Sequence, residues 1–326
     1  MYQPNRQQGA TINPNDPYVP PQPHSQPPPV YLPLDQRRRS PYDQPPQWMR
    51  PRRRSLGCCL PLILISGLVG LILAVYFLFP LRTNILLLGI DYTQPGSTVG
   101  RSDTVILTTI NPLQPYVGLL SIPRDLWVIV PGFGENRINT AHFFAESQLP
   151  GQGPYTTMET VRLNFGVDVN YFMRIRFEGF REVVNALGGV DIELSEPMAG
   201  YEPGRHHLTG NKALAFARNR TGSDDFFRME QGQFIMRAVL RQMLNPLKWS
   251  RLPFVALALS GSIDTNVPIW LWPRLGLAVL RAGPDGIDNR TIRREMVMPF
   301  TTSEGAAVLA PDWSQINPVL MEMFGQ

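Results

Sequence analysis

At 326 residues, 43% of them aliphatic or aromatic, the chain can bury the core of one large domain or two small ones, which excludes a wholly disordered protein. The formal net charge of +4 is unevenly spread: of 30 basic and 26 acidic residues, the first 57 positions hold eight and three, leaving 22 and 23 for the rest. The basicity belongs to the N-terminal tail, and the near-neutral remainder gives little reason to expect a nucleic-acid surface.

Residues 1–55 contain the Pro27-Pro-Pro29 run and scattered glutamines without apolar periodicity, so a disordered or polyproline-like tail is expected. It reads either as a plain flexible tail or as a docking segment whose arginines rest on anionic lipid. Leu56 to Phe79 then runs for 24 residues without a charge. At about 1.5 Å per residue this is roughly 36 Å of helix, enough to cross a bilayer and longer than a signal-peptide core. Arg50 and Arg52 to Arg54 precede the run and only Arg82 follows closely, so the positive-inside bias places the N-terminus in the cytoplasm and residues 81–326 outside. The only cysteines, Cys58 and Cys59, sit at the start of this helix and read as small apolar filler, with lipidation or redox sensing as the alternative; no disulfide is expected to support the exported part.

Asn84 to Ile90 reads as a buried strand, and Thr104 to Ile110 with Tyr116 to Ser121 as a hairpin turning through Asn111 to Pro115. Tyr155 to Phe165 is helical, Tyr171 to Phe177 alternates as a strand, Glu178 to Leu187 is a helix stopped by Gly188-Gly189, and Val190 to Leu194 is the next strand. This order argues for an α/β domain. Thr209 is placed to cap a helix reaching about Ala217, and Asp224 or Asp225 a longer one ending at Asn245-Pro246. Helix-like stretches at Ile269 to Ala282 and Asn317 to Phe324 complete the same domain.

Two charged clusters stand out against this frame. Asp91, Arg101, Asp103, Arg124 and Asp125 fall on loops at the strand ends, and Arg218, Arg220, Asp224, Asp225 and Arg228 lie between the two later helices. Carboxylates suit a hard divalent cation, and arginine forks suit phosphate, so the combination points to phosphoryl chemistry beside a membrane. Spacing alone equally allows structural ion pairs. No nucleophile elbow, phosphate loop or zinc-spaced Cys/His set is present. His206-His207 reads as a surface pair and His142 as a hydrogen-bonded core residue.

The segments Asn84-Ile-Leu-Leu-Leu-Gly-Ile-Asp91, Arg101-Ser-Asp-Thr104, Ser121-Ile-Pro-Arg-Asp125, Ile138-Asn-Thr-Ala141, Val167 to Ile192, Ala213-Leu-Ala-Phe-Ala-Arg-Asn-Arg220 and Asp225-Phe-Phe-Arg228, in this order behind one anchor, resemble the LytR-CpsA-Psr family of cell-envelope proteins. The resemblance implies a central mixed β-sheet flanked by helices and an extracytoplasmic transferase that moves a glycopolymer from a polyprenyl-pyrophosphate carrier onto peptidoglycan. It implies Mg²⁺ held by Asp91 and Asp103, and pyrophosphate gripped by Arg101, Arg124, Arg218, Arg220 and Arg228 with Gln233. Asp103 or Asp125 would be the base, and an apolar tunnel would hold the prenyl chain. A polyprenyl-pyrophosphate hydrolase and a membrane-bound regulator are the alternative readings. One departure stands out: where the family usually has Arg-Gln-Gln, this chain has Gln231-Gly-Gln233, losing a positive charge and an amide and placing glycine inside a helix.

Overall fold

The apolar run from Asn84 has no polar face because both of its sides are covered. The computed structural model describes residues 59–78, 82–92, 99–114, 116–219, 225–283 and 286–325. The expected tail, Cys58, Arg220 and Asp224, together with the side chains of Asp91 and Asp225, lie outside these. The chain divides into two compact units, Met1–Leu62 and Ile63–Gln326. Helix α1 (Cys59–Leu78) begins in the first and continues into the second. Its window Leu60–Phe77 is long and apolar enough to cross a membrane and is not buried by protein.

In the second unit β1 (Thr83–Tyr92), β2 (Gly100–Asn111) and β3 (Tyr116–Ile122) form an antiparallel meander. Next come the hairpin β4 (Trp127–Val130) and β5 (Gly134–Arg137), then α2 (Ile138–Gln148) and α3 (Gly153–Phe165). Strand β6 (Tyr171–Arg176) returns to lie parallel to β1 and leads into α4 (Phe177–Ala186). The chain continues through β7 (Val190–Leu194), β8 (Gly204–Leu208), α5 (Gly210–Arg218), α6 (Asp225–Leu244) and α7 (Leu252–Ser262). It ends with β9 (Ile263–Thr265), α8 (Trp272–Ala282), β10 (Ile287–Thr291), β11 (Val297–Thr301), β12 (Ala307–Pro311) and α9 (Trp313–Phe324). The main sheet has six strands in the order β10-β3-β2-β1-β6-β9, mixed in direction.

Alternation along the central strands divides the core between the two sheet faces. Leu86, Leu88 and Ile90 of β1 pack with Ile138 of α2, Phe165 of α3 and Leu320 of α9, whereas Ile85 packs with Leu271 and with Leu275 of α8. A third cluster joins α4, α5, α6 and α7 to β7 and β8. The result is helix, sheet and helix in layers, as the α/β reading expects. Among the described residues β7 pairs only with β8, apart from the main sheet. Gly188 and Gly189, at φ of 82° and 89°, turn the chain away after α4, so the strand forms a separate hairpin. The C-terminal third does complete the domain, since β9 and β10 are the two edges of the main sheet.

A candidate phosphate cleft with paired carboxylates

Asp91, Arg101 and Asp103 do not lie on loops, as the sequence suggested. They are strand residues: Asp91 in β1 sits opposite Arg101 in β2. The register shifts here, from Gly89 opposite Thr104 to Ile90 opposite Ser102, so Asp103 is the extra residue of a β-bulge. A bulge re-aims the side chain that it carries, which lets a charged group leave the alternation of an otherwise buried strand. Gly89 belongs to the same device: a Cβ there would lie 2.9 Å from that of Thr104.

Arg124 and Asp125 occupy the turn after β3, beyond Pro123. The first amides of α2 hold that turn, because no side chain caps the helix. Ile138 N–H donates to the Leu126 carbonyl at 2.8 Å and Asn139 N–H to the Arg124 carbonyl at 3.2 Å. Helix-end donors thus find their partners in the turn of residues 124–126 itself. Asn139 is buried, and its backbone carbonyl accepts the Ser102 hydroxyl.

The side chains then form a chain of charge. Arg124 Nη1 donates to Asp103 Oδ1 at 3.1 Å, Arg124 Nε lies 3.5 Å from Asp125 Oδ2, and Arg137 Nε lies 3.3 Å from Asp125 Oδ1. Arg137 was not among the residues expected from sequence. Both expected carboxylates are therefore ion-paired, and all four groups keep between 17% and 29% of their side-chain surface, open enough for an incoming anion.

A cleft beside this chain is lined by Asp103 and Arg124 from the sheet end, Arg218 from the last turn of α5, and Arg228 and Gln233 from α6. Val105, Ile106, Ile122, Phe177 and Met229 give it an apolar side. Its enclosed volume is about 70 Å³, room for a few water-sized groups, so a long lipid must part these apolar walls to enter. The Arg218 guanidinium sits 4.9 Å from the Phe177 ring centroid, a cation-π contact that fixes it at the rim. Arg228 lies in the first turn of α6, where the helix dipole disfavours a cation and favours an anion. Arg101 is exposed, over the Phe143 ring at 5.8 Å, and does not line the cleft.

The Gln231-Gly-Gln233 departure resolves into three roles. Gln231 is fully buried; with its amide NH₂ facing the carbonyls of Phe216 at 3.2 Å and Asn219 at 3.1 Å, it closes the end of α5 that carries Arg218. Gly232 lines the cleft, and a Cβ there would meet nothing within 4 Å. Gln233 donates its amide to the Arg290 carbonyl, tying α6 to β10 while facing the cleft. The family resemblance left open whether Gln231 and Gln233 together serve phosphate; the Gln231 side chain is buried in the protein and only Gln233 lines the cleft.

Behind the start of β2 lies a second charged group. His142, wholly buried, donates Nδ1–H to the Gly100 carbonyl at 2.9 Å and accepts from Arg174 Nη1 at 3.1 Å. Arg174 also meets Glu146 Oε1 at 3.1 Å and Asp264. Burial, with the Arg174 cation adding to it, holds the imidazole below its ordinary value against the opposing pull of Gly100 and Glu146. Burial alone would raise the Glu146 carboxyl; the amides of Gly151 and Gly153 and the Arg174 cation outweigh it and hold it low. The expectation of a satisfied core histidine holds. On the outlying hairpin the half-buried His206 contacts the Glu202 carbonyl and the exposed His207 pairs with Asp191.

The fold is a mixed α/β/α domain behind a helix long and apolar enough to span a bilayer, with an arginine-lined cleft at one end of its sheet. The family model described as LytR_cpsA_psr matches residues 81–323, and the chain belongs to that family. It is 32% identical over 191 residues to the polyisoprenyl-teichoic acid–peptidoglycan teichoic acid transferase TagU of Bacillus cereus, covering 56% of this chain and 60% of the relative. It is 29% identical over 195 residues to the regulatory protein MsrR of Staphylococcus aureus, covering 57% of each. The chain's match thus spans about 60% or less of the length of these curated relatives. The crystal structure of B. subtilis TagV superposes with a TM-score of 0.61 at 25% identity, over 75% of this chain and 97% of the other.

Proposed function

We propose that this protein is a transferase that moves a glycopolymer from a polyprenyl-pyrophosphate carrier to a peptidoglycan hydroxyl at the membrane surface. One observation carries the reading: residues from three separate segments, Asp103, Arg124 and the α5–α6 pair Arg218 and Arg228, converge on one cleft with an apolar side. The name of the TagU relative, which specifies a polyisoprenyl-linked donor and a peptidoglycan acceptor, supports the substrate class. The arginines neutralise the pyrophosphate and the apolar walls take the first part of the lipid.

In the reaction the acceptor oxygen bonds to the phosphorus that bears the glycopolymer. The bond from that phosphorus to the bridging oxygen breaks, and polyprenyl phosphate leaves with the bridging oxygen. Asp103 or Asp125 takes the hydroxyl proton; displacement of an arginine onto phosphate frees either carboxylate. Arg124 and Arg218 stabilise charge as it grows on the phosphoryl oxygens and leaving group. Two carboxylates on neighbouring strands, Asp91 and Asp103, offer the hard oxygen donors that suit Mg²⁺, and the bulge turns Asp103 toward the cleft. When bound there, the ion supplies charge neutralisation at the phosphates. Pyrophosphate binding by Arg220, outside the described residues, belongs to the same proposal, whereas for Arg101 it requires the side chain to leave the Phe143 ring.

The division into a cytoplasmic tail (1–55), a spanning helix (56–79) and an extracytoplasmic domain (81–326) is part of this reading and rests on the arginines ahead of the helix. The test is turnover of a lipid-linked glycopolymer by the purified full chain with and without glycan acceptor. Arg124→Ala should lower transfer by about 10³-fold or more. Full activity in that variant refutes the site, and release of polymer regardless of acceptor makes the protein a hydrolase instead.

A further inference from the structure

Helix α1 ends at Leu78 and β1 begins at Thr83, so the four intervening residues reach about 14 Å at most. This tether decides which end of the sheet faces lipid. Strand β1 starts at that end and β2 finishes there. Strand β9, antiparallel to β6, also runs toward it, which places the following turn on the same end.

That turn carries Ile269 and Trp270, 80% and 64% exposed, and the Tyr76 hydroxyl of α1 donates to the Trp270 carbonyl. Helix α8 follows and packs across β2 and β3. Its inner side buries Leu275 and Ala278, while Leu277 and Leu280 remain exposed. Arg281 Nη1 donates to the Pro112 carbonyl, so the helix reaches the β2–β3 turn, where Leu113 is exposed as well. Large apolar groups gathered on one end differ from the single apolar residues of an ordinary surface, and tryptophan favours the boundary between lipid headgroups and acyl chains. Arg281 beside Leu280 is placed to keep its stem in the boundary and its charge at the headgroups.

We propose that this end of the domain is a lipid-docking surface. Ile269, Trp270, Leu277, Leu280 and Leu113 enter the boundary of the leaflet from which α1 emerges, and the domain lies on the membrane instead of swinging on its tether. The inference rests on α1 spanning a bilayer and does not depend on the transferase activity. Docking also sets the geometry of the cleft. Asp91 stands eight residues beyond Thr83, about 26 Å along β1, so the carboxylates stand at the far end of the sheet from the docked rim.

The experiment places the full chain, carrying Trp48→Phe to silence the tail, in liposomes of brominated or ordinary phosphatidylcholine and compares tryptophan fluorescence. Brominated lipid should quench the emission, and Trp270→Phe should remove about half of that quenching or more. Ile269→Glu with Leu277→Glu should have the same effect at unchanged far-UV circular dichroism. Quenching unaltered by Trp270→Phe overturns the proposal, as does shielding of Trp270 through self-association without bromine quenching. A chain that fails to float with the vesicles overturns the anchor on which the proposal stands; one that floats without Trp270 quenching overturns the docking alone.

Discussion

Replacing Arg174 with methionine isolates the buried network behind the cleft. The Glu146 carboxylate is 2% exposed and Arg174 is 13% exposed, and they meet at 3.1 Å. After the substitution Glu146 keeps the Gly153 amide at 3.0 Å but loses its cation, and His142 Nε2 loses its donor. Asp264 is 55% exposed, so losing that partner adds little. Stranding a buried carboxylate costs about 3–5 kcal/mol. At about 2–4 °C per kcal/mol for a domain of this size, the melting temperature should fall by roughly 6–20 °C near neutral pH. The pH dependence provides the control. In the wild type the Glu146 pKa is held below its ordinary 4.5, so its contribution is present above that pH and lost below it. In the variant the loss of the Arg174 cation moves it up from its wild-type position, and the penalty disappears as protons neutralise the acid. The gap between the two melting temperatures should therefore narrow as the pH falls from 7 toward about 4.5. Thermal melts by circular dichroism across that range measure it. A gap that stays constant with pH would show that Arg174 acts by packing and that the charge argument is wrong.

Two further outcomes follow from single positions. The His142 pKa is lowered from 6.5, so its stabilising contribution is complete above that pH and is lost as pH falls through the folded-state value. Melting temperature should drop from pH 7.5 to 5 in the wild type and less steeply in His142→Gln, and equal slopes would remove the histidine from the account. Gly232→Ala should stabilise the protein by about 0.5–1 kcal/mol in urea unfolding, because the helix gains propensity and the new methyl meets open space. A loss of stability would mean that α6 is packed at that point.

Much of the fold was legible because the sequence states it locally. The run Asn84 to Ile90, the Asn111 to Pro115 turn, the Gly188-Gly189 stop and the helix through Leu244 were all found by apolar period and turn chemistry, and each is present within a few residues. His142 was legible for a similar reason, since a lone histidine among apolar residues needs only local partners. The errors arose where tertiary pairing decides. Asp91, Arg101 and Asp103 looked like loop residues because charge interrupts the apolar pattern, whereas the strands run through them and a bulge accommodates Asp103. Strand β7 was found from the sequence but its partner was not, because β8 is only weakly apolar, with Arg205, His206 and His207 along it.

The sequence by itself determined an apolar helix of bilayer-spanning length, the arginines gathered ahead of it and a set of residue types that suits phosphate, because length, charge and chemical kind need no third dimension. Only the tertiary structure decided which of those residues act together. Arg124 bridges Asp103 and Asp125, Arg218 of α5 and Arg228 of α6 line one cleft, and Arg101 lies outside that lining. It also decided that Gln231 serves the backbone of α5 while Gln233 faces the cleft. Two residues of one kind, two positions apart on a helix, point about 200° apart, and what each one meets is set by elements distant in the chain.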